Sequence, residues 1–520
     1  MIGALGPILI PSKAWVDAAH KNGVKVIGTI FFAPAVFGGT PAAVQSFLQK
    51  DIAGNFIAAD KMMQIANYYN FDGWIMNCET SVNSATGTLV ASFMNRLDSA
   101  YTGELIWYDA MLPNGSVSYQ NRLNVNNAYF FQHSTGLFTN YAWSNTATVT
   151  SSQSYALGLG QSPFKVYTGA DLWPNRTAQP AFTNYTWIDK IISGGIAKTS
   201  IALFATNFTF NYGGFSNFNN DSNDYATFYA AERKIFTGID QDPFSVDAQW
   251  KGIGHYISAR STITSLPFET AFNTGHGFNY YANGSILTAG SWHNMSHQDI
   301  LPTWMFHSGS INLNYYFVDA YSGGSCLNIS AAAAGNYSIP LYSTYFTTNT
   351  NLLNLELVLK SGATTIDSIS IELKKKDNTL INSVFHPSHN GSWETLMNNG
   401  IAAGLTDTIV EIILNIHSTG AFALNIGKFA IQPDSTFSIF EEKNKSSSFH
   451  IYPNPSAGIF SVYTNGNSGM LSIFNLMGDK VLNKTINPGE TQKLELPDRG
   501  VYMYEFISRT ENKQGKLVVE

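Results

Sequence analysis

Short apolar segments alternate with amphipathic segments through the first part of the chain, and this alternation limits the possible folds most strongly. Between the apolar segments, residues recur at helical spacing, as in NFIAADKMMQIANYY. The apolar segments themselves predict six strands: VKVIGTIFF, FDGWIMNCET, ELIWYDAM, NAYFF, FKVYTGADLW and SIALFATNF. Strands that alternate with helices pair in parallel, so we expect a parallel α/β sheet here.

Polar and aromatic side chains stand where several of these predicted strands end. They are Asn77, Glu79, Tyr108, Asp109, Asp171, Trp173 and Asn207. A (β/α)8 barrel assembles its site from residues at the carboxyl ends of its strands. The pattern therefore predicts a TIM-barrel-like catalytic domain over residues 1–239. Six strands are two fewer than a closed barrel needs, so either two were missed or the chain begins after them.

The hydrophobic pattern of the sequence changes near residue 240. Helical periodicity ends there, and alternating strand patterns separated by turns of Gly, Asn and Ser follow. Residues 240–433 predict one or two β-sandwich domains, which could bind carbohydrate. The polar stretch 434–448 is typical of a linker. Residues 449–520 predict a small C-terminal β-sandwich. A multidomain chain agrees with the length of 520 residues.

Composition excludes some classes of function. The net charge is -7 and no basic block occurs, which argues against a nucleic-acid partner. No run of eighteen apolar residues occurs, so no membrane-spanning helix is expected. The start of the chain lacks the basic and small-residue pattern of a signal peptide. Two cysteines, Cys78 and Cys326, leave the redox compartment open.

Asn77 and Glu79 are two residues apart, so on a strand they share one face with Ile75. Cys78 faces the other way and is expected to be a small buried hydrophobic residue. A glycosidase needs an acid to protonate the leaving oxygen, and most retaining enzymes add a carboxylate nucleophile. Here the neighbour of the acid is an amide, which cannot attack but can hold a 2-acetamido group. A polar pair that only caps the strand is the structural alternative, although a buried carboxylate without a cation is costly.

The same segment resembles the chitinase signature F-D-G-x-D-x-D-x-E, but Ile75 and Asn77 replace its aspartates. With its surroundings the chain looks much more like glycoside hydrolase family 85, the endo-β-N-acetylglucosaminidases that cut N-glycans. The resemblance covers roughly Pro11 to Gln432. It rests on these segments: AHKNGVKVIGTIFF, FDGWIMNCE, WYDAM, GLFTNYAW, VYTGADLWP, SIALFATNF, LPFETAFNTGHG, WHNMSHQDILPTW and DAYSGGSCLNIS.

The resemblance implies a role for each matching residue. Glu79 would be the general acid and then the general base, Asn77 would orient the acetamido group, and Tyr108 would hydrogen-bond near the reacting centre. The expected groove residues are Trp143, Asp171, Trp173 and Asn207. No cofactor or metal is implied, and N-glycans of glycoproteins are the expected partners. The family begins with two further strands, so we expect this chain to be N-terminally incomplete.

The last domain, with IYPNPSAGIFSV near its start, resembles the C-terminal sorting domain of the type IX secretion system. That resemblance implies a bacterial protein that is secreted or held at the cell surface, with the secretion machinery as a partner. A further small sugar-binding sandwich is the alternative. For the whole chain, two alternatives to the endoglycosidase stay open: a non-catalytic surface glycan-binding protein, and a chitinase-like hydrolase.

Overall fold

The chain divides into two compact units, Met1–Asp434 and Ser435–Glu520. The structure is a computed structural model. It describes residues 7–174, 176–212, 221–242, 249–258, 262–302, 310–434, 449–465, 467–475, 479–496, 498–508 and 512–519. Apart from Asp434, the predicted linker 434–448 lies outside the described residues.

The first half of the first unit alternates strands and helices. Its strands are β1 (Ile8–Leu9), β2 (Ile27–Phe32), β3 (Gly73–Cys78), β4 (Glu104–Tyr108), β5 (Gly136–Thr139), β6 (Val166–Asp171), β7 (Ile192–Ser193), β8 (Ile196–Ala197) and β9 (Ser200–Phe204). Its helices are α1 (Lys13–Lys21), α2 (Pro41–Phe47), α3 (Ile57–Tyr69), α4 (Ser84–Ala100), α5 (Ala128–Gln132), α6 (Thr146–Gly158), α7 (Thr186–Ile191), α8 (Phe208–Tyr212) and α9 (Ser222–Thr237).

Side-chain caps start several of these helices. The side chain of Asn83 accepts a hydrogen bond from the backbone N–H of Thr86 at the start of α4. Ser12 does the same for the N–H of Trp15 at the start of α1. Each cap satisfies a backbone donor that has no partner inside the first helical turn. The polar residues before the helices therefore fix where each crossover begins.

Seven strands form one sheet in the order β1-β2-β3-β4-β5-β6-β9. The strands from β2 to β9 in this order pair in parallel, whereas β1 pairs with β2 antiparallel. The described residues thus form six parallel strands, five of them at the expected segments, with β1 in addition. One assignment was wrong: NAYFF forms helix α5, and the strand follows four residues later as GLFT. Aromatic residues fit both elements, so this short apolar run misled the analysis.

Strand β3 separates the core from the polar edge. Trp74, Met76 and Cys78 are each at most 1% exposed and pack in the core with residues of α3 and α4. Asn77 and Glu79, on the other face, are only partly buried. The alternation predicted from the sequence is therefore present. At the start of the strand, the Asp72 carboxylate accepts hydrogen bonds from Val26 N at 2.7 Å and pairs with the His20 ring.

In the rest of the first unit, the described strands form the two-stranded hairpin β11–β12 and two large antiparallel sheets. One has the order β13-β14-β21-β16-β19, with β10 paired to β21, and the other has the order β15-β20-β17-β18. Their inward side chains, such as Leu313, Leu357, Ile371 and Leu414, share one apolar core. The strands are β10 (Phe268–Thr270), β11 (His276–Ala282), β12 (Ser285–His293), β13 (Ile311–Tyr316), β14 (Cys326–Ala331), β15 (Gly335–Thr347), β16 (Leu352–Lys360), β17 (Ile366–Lys375), β18 (Leu380–Phe385), β19 (Trp393–Ala402), β20 (Thr408–Ser418) and β21 (Phe422–Pro433). A boundary at residue 239 stays a prediction.

The second unit is also built from two antiparallel sheets around one core. The sheets have the orders β22-β23-β26 and β25-β24-β27-β28, and Phe460, Leu471 and Phe506 are buried in the core they share. The strands are β22 (Phe449–Tyr452), β23 (Ile459–Thr464), β24 (Gly469–Phe474), β25 (Lys480–Ile486), β26 (Gln492–Glu495), β27 (Gly500–Ser508) and β28 (Asn512–Val519). In the described parts of the chain, no helix is long and apolar enough to cross a membrane.

Candidate active site

The carboxyl end of β3 brings Asn77 and Glu79 into direct contact. The Asn77 amide nitrogen Nδ2 donates to Glu79 Oε1 at 3.0 Å. The backbone N–H of Glu79 donates to the carbonyl of Phe32 at 2.8 Å, which extends the pairing of β3 with β2 by one residue. The acid therefore stands on well-ordered backbone, although it lies just beyond the strand.

The second polar atom of the Asn77 side chain, Oδ1, is buried, and no donor among the described residues lies within hydrogen-bond distance of it. Leaving a buried amide oxygen unpaired costs roughly 1–3 kcal/mol, so such atoms are rare in folded proteins. An N–H group of a ligand would remove this cost.

Tyr119 completes the surroundings of the acid, and the sequence analysis missed it. Its hydroxyl group donates to Glu79 Oε2, so both carboxyl oxygens have a partner. Burial, and then the hydrogen bond to Glu79, raise the pKa of the Tyr119 hydroxyl above its ordinary value. Tyr119 therefore stays protonated and remains a donor. It lies in the loop after β4, where nothing in the strand pattern marks it.

Tyr108, at the end of β4, lies beside Tyr119, and its hydroxyl group hydrogen-bonds to Asn140 and not to Glu79. Its hydroxyl donates to Asn140 Oδ1 at 2.9 Å, and its ring centre is 6.4 Å from that of Tyr119. Tyr108 is only 6% exposed, and this burial raises the pKa of its hydroxyl group. Tyr108 is thus a neutral neighbour of the acid, and its contact with Asn140 links β4 to the loop after β5.

Asp109 organises the loop that carries Tyr119. Its carboxylate accepts from Asn121 N at 2.7 Å, from Gln120 N at 3.1 Å and from Asn127 Nδ2 at 3.0 Å. It is 1% exposed, and burial raises its pKa against the effect of these hydrogen bonds. These hydrogen bonds tie the loop after β4 to the end of that strand.

Asp171, at the end of β6, differs from Glu79 because it is paired with a positively charged side chain. Its Oδ2 lies 3.2 Å from Arg176 Nε, and its Oδ1 accepts from the backbone N–H of Trp173 at 3.1 Å. The guanidinium group also lies 5.9 Å from the centre of the Trp173 ring. Trp173 is partly buried. The predicted groove residues Asp171 and Trp173 therefore form one cluster around Arg176.

The other two predicted groove residues lie elsewhere. Trp143 is only 4% exposed, and its indole N–H donates to the carbonyl of Gly169 at 2.7 Å, so it packs in the core with little ring face open to a ligand. Asn207 is exposed and lines a cleft of about 870 Å³ together with Trp15 and Glu232. Neither Asn77 nor Glu79 belongs to the described walls of that cleft.

Aromatic rings form a row along the strand ends between these groups. The ring centres of Tyr108 and Tyr141 are 6.2 Å apart, and Tyr141 stacks on Phe204 at 4.9 Å. Burial raises the pKa of the Tyr141 hydroxyl to about 12. Aromatic faces and neutral hydroxyl groups suit an uncharged, hydroxyl-rich ligand. Within the described residues, no group of three His, Cys, Asp or Glu side chains could hold a metal ion.

The profile of glycosyl hydrolase family 85 matches residues 5–280, which is more than half of the chain. The chain belongs to this family. The parallel sheet and the Asn77–Glu79 pair at the end of β3 lie within the matched range. The match also includes most of β11, the first strand of the hairpin β11–β12.

Curated relatives are similar over much of this chain. The cytosolic endo-beta-N-acetylglucosaminidase of Gallus gallus is 27% identical over 328 residues, covering 62% of this chain and 40% of the relative. The human protein of the same name is 28% identical over 388 residues, covering 71% of this chain and 47% of the relative. The chain thus spans less than half the length of these relatives.

A solved structure resembles the fold. The glycoside hydrolase domain of Endo-D from Streptococcus pneumoniae R6 superposes with a TM-score of 0.70 at 22% identity, covering 98% of this chain and 84% of that chain. The likeness shows that the chain shares the fold of that glycoside hydrolase domain.

Residues 450–520 match the profile of the secretion system C-terminal sorting domain. This match agrees with the resemblance to the type IX sorting domain and with the two-sheet fold of the second unit. The chain therefore carries a sorting domain for type IX secretion, which leads either to release or to attachment at the cell surface.

Proposed function

We propose that the first unit is an endo-β-N-acetylglucosaminidase that hydrolyses the β-1,4 bond between the two core GlcNAc units of N-glycans. The names of the curated relatives and the membership of family 85 support the reaction class. One observation carries the mechanism: Asn77 holds Glu79 through Nδ2 while its buried Oδ1 has no donor among the described residues. That oxygen suits the N–H of a 2-acetamido group.

The other strand-end acids support a nucleophile supplied by the substrate. A retaining glycosidase with two carboxylates keeps them about 5–5.5 Å apart, with the second free to attack. Asp109 is surrounded by protein donors, and Asp171 is paired with Arg176. Both are at most 2% exposed. Neither is available as a nucleophile, which leaves the acetamido oxygen for this role.

The reaction then has two steps. In the first, Glu79 gives its proton to the glycosidic oxygen while the acetamido oxygen attacks the anomeric carbon and an oxazolinium ion forms. Asn77 Oδ1 accepts the acetamido N–H, which orients the group and stabilises the positive charge. In the second, water attacks the anomeric carbon, the bond from that carbon to the acetamido oxygen breaks, and the Glu79 carboxylate takes the proton that the water loses. Two inversions at one carbon give retention of configuration.

Tyr108 and the aromatic row are proposed to line the sugar side of this site. The row from Tyr108 through Tyr141 to Phe204 follows the strand ends away from Glu79. The six parallel strands are proposed to belong to a (β/α)8-type barrel, because the site stands at their carboxyl ends. The secretion machinery that reads the sorting domain is the proposed protein partner.

Digestion of a glycoprotein with high-mannose N-glycans tests the proposal. The chain should leave one N-acetylhexosamine on each asparagine, detected by mass, and the released glycan should keep its anomeric configuration by NMR. Glu79→Gln keeps the size and the hydrogen-bonding shape of the side chain but cannot transfer a proton. We expect it to lower kcat at least 10³-fold. An unchanged glycoprotein substrate, or an inverted product, would contradict the proposal.

A further inference from the structure

The two oxygens of the Glu79 carboxyl group have partners of different chemistry. Oε1 meets an amide N–H, from Asn77, at 3.0 Å. Oε2 meets a phenol hydroxyl, from Tyr119. An amide N–H can only donate, whereas a hydroxyl group can donate and can also accept. Both partners donate here, and only the hydroxyl group can rotate to follow a change in the protonation of Glu79.

A general acid has to be protonated before the reaction begins. Each carboxyl oxygen has two lone pairs, and one protein donor occupies one lone pair on each. Oε2, whose partner is a rotatable hydroxyl group, keeps its second lone pair for the acidic proton.

We propose that Tyr119 is a positioning residue that keeps Oε2 of Glu79 oriented through both steps; this inference rests on the proposed function. The phenol donates to one lone pair of Oε2, and the acidic proton occupies the other and points to the glycosidic oxygen. As the C–O bond to the leaving sugar breaks, that proton moves to the leaving oxygen. The acetamido oxygen supplies the electron pair for the new bond, and Glu79 remains as a carboxylate that still accepts from Tyr119.

The loop after β4 holds Tyr119 in place for this role. On one side of it, Ser118 N donates to the carbonyl of Ala110 at 2.9 Å. On the other side, Gln120 N donates to the buried Asp109 carboxylate at 3.1 Å. Tyr119 itself is 39% exposed, so part of its ring remains open beside the acid. The backbone on both sides is fixed, and the side chain needs little ordering when substrate binds.

The dependence of kcat/KM on pH tests this role. Tyr119→Phe removes the hydroxyl that stabilises the Glu79 carboxylate, so the protonated acid should persist to higher pH. A hydrogen bond to a charged group corresponds to about one pH unit, and we expect the basic limb of the profile to move up by about that amount. At the wild-type optimum, kcat should fall about tenfold with KM within about twofold. The substrate is a fluorescently labelled high-mannose glycosyl-asparagine.

Tyr129→Phe is the matched control, since its hydroxyl lies on α5 and contacts the carbonyl of Ala91, not Glu79. Its profile should superimpose on that of the wild type. A Tyr119→Phe profile with a lower rate at every pH but an unmoved basic limb would overturn the inference and leave the proposed function standing. Equal movement in both variants would also overturn it. A wild-type chain that leaves the substrate intact would instead overturn the proposed function.

Discussion

The ends of β3 and β6 follow the same sequence pattern and do different things. Each is a buried, apolar parallel strand that finishes at a carboxylate, Glu79 in one case and Asp171 in the other. At β3 the partners are an amide and a phenol, both uncharged. At β6 the partner is the guanidinium of Arg176 at 3.2 Å. The strand pattern places an acid, and the partners decide what the acid can do.

Glu79 and Asp171 differ because their partners favour different protonation states of the carboxyl group. A guanidinium is always charged and donates only, so it favours the carboxylate and opposes its protonation. An amide and a phenol donate without adding charge, and together they leave one lone pair of Glu79 Oε2 for a proton. A residue that must serve first as an acid and then as a base needs the second kind of surroundings. Glu79 has them and Asp171 does not.

Removing the Asn77 amide is expected to have the largest effect of the tests that follow. Asn77→Ala should lower the hydrolysis of natural glycans about 10²- to 10³-fold, because nothing then orients the acetamido group or stabilises the oxazolinium ion. A preformed sugar oxazoline skips that step, so the variant should still transfer it to an acceptor. Both rates can be followed by chromatography of the labelled glycan.

The matched control for Asn77→Ala is Glu79→Gln, which should lose both reactions because each needs the acid or its conjugate base. Normal hydrolysis by Asn77→Ala would contradict the substrate-assisted mechanism. A covalent glycosyl ester on any strand-end carboxylate, trapped and located by mass, would contradict it as well. Either result would remove the distinction between β3 and β6.

Breaking the ion pair at β6 should have a smaller effect, and mainly on stability. Asp171→Asn removes a buried carboxylate from an arginine whose side chain is 54% exposed. Water can hydrate the freed guanidinium, so we expect a loss of only about 1 kcal/mol in the free energy of unfolding. Added salt should reduce the difference from the wild type. Denaturant unfolding at two salt concentrations measures both quantities.

The same variant should keep kcat within about an order of magnitude of the wild type, because a structural acid contributes no proton transfer. Arg176→Gln leaves the buried Asp171 carboxylate without its cation and should therefore give a larger loss of stability than Asp171→Asn. If Asp171→Asn abolished hydrolysis as completely as Glu79→Gln, the second acid would be part of the chemistry. The two-carboxylate scheme would then replace the proposed one.

Local pattern was enough to predict the strand that carries the acid. The two-residue spacing puts Asn77 and Glu79 on one face whatever surrounds the strand, and the structure has them in contact. Short apolar runs were less informative: NAYFF fits a strand or a helix equally, and only tertiary packing selected the helix. The sheet order agrees with the alternation of strands and helices.

Contacts made by loops could not be predicted in this way. Tyr119 reaches Glu79 from forty residues away because Asp109 folds the intervening loop, and no periodic pattern records such a contact. Burial of single aromatic residues is equally hard to read. The family resemblance predicted that Trp143 lines the groove, but its indole N–H donates to the carbonyl of Gly169 in the core. Site residues on strands were therefore easier to find than those on loops.

Cys78 gives the smallest expected effect and separates the two faces of β3. It stands between the two proposed catalytic residues in sequence but is 1% exposed on the opposite face, and burial raises its pKa to about 12. A thiol in this state is neither nucleophilic nor accessible. Iodoacetamide should therefore leave activity unchanged at neutral pH. Cys78→Ala should lose about 1–2 kcal/mol of stability from the small cavity but keep kcat within about twofold. Rapid alkylation of Cys78 with loss of activity would mean that the face of β3 that carries Cys78 points to the site. Asn77 and Glu79 lie on the opposite face, because successive residues of a strand alternate between its two faces. Their assignment as catalytic residues would then fail.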